Sequence, residues 1–182
     1  VKISAAIFSI LLFALSAATP AAGQSEVPSG RDAVAPSAFV SLEPVARGSS
    51  FQLAVVLKIR PGFHINAREK SEDYLIATDL KADVPAGFKI GEVSYPKGKL
   101  RPFTFSKKPL NVYEGTVILR LPLTALANAP LGAQQIPLKL RYQACSTEIC
   151  LPPVTLDVNA AFTVAASASG VRPAHPELFS QK

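Results

Sequence analysis

Between residues 51 and 59 apolar side chains fall on every second position: Phe51, Leu53, Val55, Leu57 and Ile59, interleaved with Gln52, Ala54, Val56 and Lys58. Successive side chains of a strand point to opposite faces, so this alternation predicts a strand with one face on a core. Ile136, Leu138, Leu140 and Tyr142 repeat the pattern against Pro137, Lys139, Arg141 and Gln143, as do Val154, Leu156 and Val158 against Thr155, Asp157 and Asn159. Thr116 to Leu121 is rich in β-branched residues and predicts another strand. Shorter strands are expected at residues 39–42, 64–66, 76–79, 88–93 and 162–165. Arg47-Gly48, Pro61-Gly62, Pro85-Ala86-Gly87, Pro96-Lys97-Gly98, Glu114-Gly115 and Pro130-Leu131-Gly132 punctuate the runs as turns. Many short strands at such intervals predict an all-β sandwich. The one helical turn expected is at residues 123–129, and Pro137, which has no N–H for a ladder, is expected at a strand edge or start.

The ends of the chain read differently. Residues 1–23 carry Lys2, an apolar run from Ile3 to Ala18, and small residues up to Gly23. A charged start, an apolar middle and a small-residue end are the pattern of a secretory signal peptide. A membrane anchor is the alternative, but a span needs about 20 apolar residues and this run is shorter. Residues 24–37 predict a disordered leader, residues 38–165 the folded domain, and residues 166–182, with Ser167, Ser169, Gly170, Pro173 and Pro176, a flexible tail. These segments predict an exported protein, expected in the periplasm, with no stable membrane insertion expected once the signal is cleaved.

Composition adds little against this picture. Apolar residues make up 48% of the 182, enough for a core, and the net charge is +6. The densest basic patch, Lys97, Lys99, Arg101, Lys107 and Lys108, lacks the tight stripe and interleaved aromatics of a nucleic-acid surface and reads as a solvated loop face. No nucleic-acid partner is expected.

Cysteine usage is more informative. The chain has two cysteines, Cys145 and Cys150, in Tyr142-Gln143-Ala144-Cys145-Ser146-Thr147-Glu148-Ile149-Cys150-Leu151-Pro152-Pro153. In an exported protein they are natural disulfide partners. Opposed across a hairpin their Cβ atoms approach to about 4–5 Å, near what a disulfide needs. Direct pairing of the two, however, sets Arg141 opposite Val154 and Lys139 opposite Leu156, which puts the apolar faces out of step. An irregular hairpin, broken near Pro152-Pro153, is therefore predicted.

Two roles compete for the pair. As a staple it closes so short a loop that the stabilisation is only about 2 kcal/mol. As a redox couple it benefits from being short and accessible, since such disulfides are the more readily reduced. Glu148 between the cysteines disfavours a thiolate, and no lysine or histidine adjoins either one in sequence. Activation would then come partly from a partner's surface.

The cysteine segment with its Pro-Pro resembles the active-site hairpin of the N-terminal domain of DsbD, a bacterial membrane thiol:disulfide interchange reductase. Pro61-Gly62-Phe63-His64-Ile65-Asn66 and Val112-Tyr113-Glu114-Gly115 are similar to further family segments, and the resemblance runs over residues 38–160. It implies an immunoglobulin-like β-sandwich with the cysteines at one end. It also implies a relay: a thioredoxin-like domain or membrane thiol reductase donates electrons to Cys145 and Cys150, and periplasmic disulfide proteins such as isomerases and cytochrome c maturation factors accept them. By position Cys150 matches the cysteine that attacks substrate disulfides and Cys145 its resolving partner. Neither membrane-spanning helices nor a thioredoxin-like domain is expected within these 182 residues, so the electrons are expected to come from a separate protein. The family shields its disulfide with a capping loop containing an acidic pair and a phenylalanine. The matching region, residues 99–108, has Phe103 and Phe105 but no acid, so either aromatic is a lid or a core residue.

Around the cysteines, Tyr142, Tyr113, Glu148 and Pro152 are the candidate flanking residues, with packing as the alternative for both tyrosines. His64 is read as a structural histidine with its polar atoms satisfied. Two histidines and two cysteines so spaced make no metal site, and no cofactor is expected. The competing function is a non-enzymatic exported binding module whose disulfide pins a loop.

Overall fold

The computed structural model describes residues 29–180; the predicted signal peptide lies outside them. Fourteen strands and a short helix follow in order: β1 Val34–Val40, β2 Leu42–Glu43, β3 Val45–Ala46, β4 Ser50–Ile59, β5 His64–Asn66, β6 Asp79–Ala82, β7 Phe88–Ile90, β8 Lys99–Arg101, β9 Leu110–Tyr113, β10 Thr116–Ala125, β11 Gly132–Tyr142, β12 Ala144–Cys145, β13 Val154–Ala165, β14 Arg172–Pro173 and α1 Pro176–Phe179. Two four-stranded sheets form the layers of an immunoglobulin-like sandwich, one in the order β1-β4-β10-β7 and the other β3-β13-β11-β6. Phe51, Leu53, Val55 and Leu57 of the first layer and Ile136, Leu138, Leu140, Leu156 and Val158 of the second are buried in one core, as the period-two pattern requires.

A third small sheet, β12-β5-β9-β8, sits at one end of the sandwich. Its position follows from connectivity. β5 continues from the end of β4 at Ile59, β9 leads through Gly115 into the start of β10, and β12 extends β11 beyond Tyr142. Ile59 accepts this arrangement by donating its N–H to Gly115 O at 2.8 Å. Gly115 has φ 68°, a left-handed conformation that glycine adopts without steric cost.

Three expectations about the extent of elements are corrected. Residues 29–37, expected in the disordered leader, form a 3-10 turn at Gly30–Ala33 and then β1. β1 pairs with β4 from Val34↔Ile59 to Val40↔Leu53, so the ladder and burial of Val34 overcome a sequence rich in small residues and Pro36. The tail up to residue 180 is docked as well. β14 pairs with β2, Ala174 N–H donates to Ser41 O at 2.9 Å, and the Arg120 guanidinium donates to Leu178 O at 2.9 Å. Finally, β10 runs on to Ala125 where a helical turn was expected, held by pairing with β7 and by Ala125 N–H to Ser49 O.

Pro137 is neither at an edge nor at a start but in the middle of β11. Its carbonyl accepts from Asp83 N–H at 2.9 Å, just past the end of β6 at Ala82. A strand residue points its N and O to the same side, so the missing N–H faces the place where β6 has stopped. The ladder to β13 loses nothing.

Candidate functional site

The hairpin between β11 and β13 changes register as it approaches its tip. Along the long ladder Tyr142 stands opposite Val154 and Leu140 opposite Leu156, which keeps both apolar faces inward. At the tip Cys145 stands opposite Cys150 in an isolated bridge. Two residues separate the pairings on the β11 side and three on the other, Leu151, Pro152 and Pro153. The extra residue absorbs the phase mismatch, as the irregular hairpin predicts. Leu151 N–H donates to Ala144 O at 2.8 Å, and the side-chain amide of Gln143 donates to Leu151 O at 3.3 Å, so the irregular stretch is pinned on both sides.

Cys145 and Cys150 are joined, with an S–S distance of 2.00 Å and Cα atoms 3.9 Å apart. The loop between them closes on Ser146. Its N–H donates to Ile149 O at 2.8 Å, and its hydroxyl accepts from the N–H groups of Glu148 and Ile149 at 3.2 and 3.1 Å. The two cysteines differ sharply in exposure. Cys145 is 0% exposed, whereas Cys150 is half-buried beside the 62% exposed Ile149.

β5 explains why Cys145 is so covered. Cys145 pairs with His64, and Ala144 with Ile65. Alternation places His64, Asn66 and Cys145 on one face of the small sheet and Ile65, Ala144 and Tyr113 on the other. The second face joins the main core. The first is covered by a separate cluster of Leu75, Leu110 and Val112 with Phe103 packed against it.

Phe103 stacks on the His64 ring with centroids 4.0 Å apart, and Phe105 stacks on Phe103 at 5.3 Å. The Thr104 hydroxyl reaches Thr147 O in the cysteine loop at 3.4 Å. The 103–105 segment thus lies against the cysteine loop and outside the main core. Phe103 is half-buried and Phe105 39% exposed.

Other candidate residues fall elsewhere. Tyr142 is buried in the main core, and its hydroxyl donates to Gly30 O at 2.8 Å, tying the 3-10 turn to the hairpin. Desolvation raises its phenol to about 12. Tyr113 faces away from Cys145 and donates to Pro96 O at 2.8 Å. Glu148 and Pro152 are exposed, one in the loop and one in the irregular stretch. Among the described residues no group of three or more His, Cys, Asp or Glu side chains is placed to hold a metal ion.

His64 departs from the expectation of a satisfied structural histidine. It is 3% exposed, yet its Nε2 has no hydrogen-bond partner. Burial pushes its pKa down from 6.5 to about 4, with the Glu114 carboxylate pulling weakly the other way. Local spacing carries no sign of this residue's place, because its partner Cys145 is far along the chain. The only sequence signal is its position in the Gly-Phe-His-Ile-Asn segment.

The family described as thiol:disulfide interchange protein DsbD, N-terminal, matches residues 31–161. The chain belongs to the DsbD N-terminal domain family. A similar solved structure is the Neisseria meningitidis DsbD N-terminal domain in the reduced form, 19% identical, with a TM-score of 0.45 over 81% of this chain and 94% of that one. The N-terminal periplasmic domain of Proteus mirabilis ScsB is 12% identical, with a TM-score of 0.44 over 70% of this chain and 46% of the other. No curated protein matches the chain. The family match begins inside the 3-10 turn, so the family's domain includes β1 and the part of the expected leader from residue 31 onward. Family membership and a bonded cysteine pair at the sandwich end support a role in thiol:disulfide exchange. Among the described residues no helix is long and apolar enough to cross a membrane.

Proposed function

We propose that this domain is a periplasmic electron relay in which Cys150 exchanges with partner sulfurs and Cys145 resolves. The observation that carries the reading is the contrast in exposure within one disulfide, Cys145 at 0% and Cys150 half-open at the loop mouth. An incoming thiolate needs a straight approach to one sulfur and a leaving group on the other.

In the loading half, a thiolate of a thioredoxin-like domain or membrane thiol reductase attacks Cys150 Sγ. The Cys145–Cys150 bond breaks and its electron pair leaves on Cys145, which takes up a proton. A second thiol of the donor then attacks the donor sulfur of the mixed disulfide and frees Cys150 as a thiolate. The donor is left as a disulfide and the domain as a dithiol. In the delivery half, the Cys150 thiolate attacks a disulfide of an exported protein, and Cys145 displaces that protein from Cys150. The acceptor leaves with two thiols and the Cys145–Cys150 bond is restored. Two electrons pass in each half. The predicted signal peptide at residues 1–23 supports a periplasmic setting for both partners.

Redox titration of the mature protein against glutathione tests the reading. The relay requires a Cys145–Cys150 potential above about −300 mV, within reach of exchange partners. A value well below that marks a structural staple and leaves the non-enzymatic binding module as the function.

A further inference from the structure

We propose that His64 is the general base that takes the proton from Cys145 in the resolving step. This rests on the relay reading and assigns it a residue that spacing in the sequence did not suggest.

The need arises from burial. Once Cys150 is in a mixed disulfide, Cys145 is a thiol in a fully covered position. Apolar surroundings oppose its ionisation, and no basic residue adjoins it in sequence. The strand pairing supplies one. His64 is the cross-strand partner of Cys145, and directly opposed residues of an antiparallel pair carry their Cβ atoms about 5 Å apart on one face. The imidazole is held by stacking on Phe103, and its Nε2 has no partner among protein groups. Buried polar atoms without partners are rare in folded proteins and call for an account. A nitrogen kept free to accept a thiol proton is such an account.

The surroundings keep the ring neutral, which is the form a base requires. Glu114, beyond β9, is the charge that acts on it, and that carboxylate is paired with Arg101 of β8 at 3.0 Å. Asn66 shares its face of β5 without charge, Phe103 covers it with aromatic carbon, and Glu148, the one charged residue of the cysteine loop, is exposed. Burial lowers the pKa to about 4, so the base form persists through the neutral range.

The step balances. His64 takes the proton from Cys145 Sγ as that sulfur attacks Cys150 Sγ. The bond between Cys150 and the acceptor sulfur breaks, and its electron pair leaves on the acceptor. The imidazolium then returns its proton to the departing thiolate or to water. The protein disulfide is oxidised back into place and the acceptor sulfur is reduced.

The test uses reduced protein and 4,4′-dithiodipyridine, which releases one thiopyridone when Cys150 attacks and a second when Cys145 resolves. In the unmodified protein the second rate should be flat from about pH 5 to 8, since base and thiol are both in place. In His64→Phe, which keeps an aromatic ring against Phe103, the first release should be unchanged. The second should slow at least tenfold at pH 7, general bases contributing about 10²–10⁴-fold, and should rise about tenfold per pH unit. His64→Gln is the second variant should the first not fold. Equal second-step rates in variant and unmodified protein, or a rate in the unmodified protein that itself rises tenfold per pH unit, overturns the assignment. The probe reacts with any accessible dithiol. Failure of the protein to exchange with thioredoxin would therefore remove the relay while leaving the His64 assignment to stand or fall on its own profile.

Discussion

Phe103 lies over the imidazole of His64 with ring planes 19° apart, and so closes the face of the small sheet that carries Cys145. The stack joins a segment of loop to the pairing that buries the Cys145 sulfur. Removing the ring should both loosen the cluster with Leu75, Leu110 and Val112 and open the cysteine loop. Phe103→Ala is expected to lower stability by about 1–3 kcal/mol, below the range for a fully buried phenylalanine because this one is only half-buried. It should also speed reduction of the disulfide by a small thiol severalfold. Phe105→Ala, at a more exposed ring, should cost under about 1 kcal/mol. Urea unfolding and dithiothreitol kinetics on both variants check the pair of effects.

The buried imidazole also makes stability depend on pH. His64 binds a proton near pH 6.5 when unfolded and only near 4 when folded. Between those values the unfolded state holds more protons, so stability falls as pH drops from 6.5 to 4. The full loss is about 3 kcal/mol by linkage. His64→Phe should lack this component, so the stability of the unmodified protein relative to the variant, followed by denaturation at a series of pH values, should fall as the pH is lowered through that window.

Tyr142 is a strut rather than a reacting neighbour. Its hydroxyl reaches from the end of β11 to Gly30 O in the 3-10 turn. Tyr142→Phe is expected to cost about 1 kcal/mol, the usual worth of one internal hydrogen bond. The rate of disulfide exchange should not change. An exchange defect without a stability defect would show that the phenol acts on the sulfurs.

The docked C-terminal arm should contribute stability without touching the chemistry. α1 lies against β4, where Ala54 and Val56 are buried on the face turned from the core. A chain ended after Gly170 loses that cover, the β14–β2 pairing and the Arg120 contact to Leu178 O. Its unfolding midpoint in urea is expected to fall, while the reduction rate of Cys145–Cys150 stays the same.

Much of this was legible where the information is local. Alternation located β4, β11 and β13, and the conflict between Arg141 and Val154 foretold the extra residue at Leu151–Pro153. The same alternation in β4 carries a second signal. Ala54 and Val56 are apolar on the outward face, a sign that something covers it, and the arm does. The order of residues 29–37 was hidden because β1 owes its strand to β4 rather than to its own pattern. The unpartnered nitrogen of His64 is hidden for a related reason. Its environment is created by Cys145 and Phe103, each distant along the chain and brought beside it by the small sheet.

The most direct measurement of the relay is a trap. Oxidised protein carries no free thiol, so the single-cysteine variants Cys145→Ala and Cys150→Ala are each mixed with a thioredoxin-like protein bearing an activated mixed disulfide, and adducts are read by non-reducing electrophoresis and mass spectrometry. Cys145→Ala should accumulate a covalent adduct through Cys150, and Cys150→Ala should form little, its remaining sulfur being covered. Equal adducts from both variants, or none from Cys145→Ala, would contradict an exchange site with Cys150 as its open sulfur.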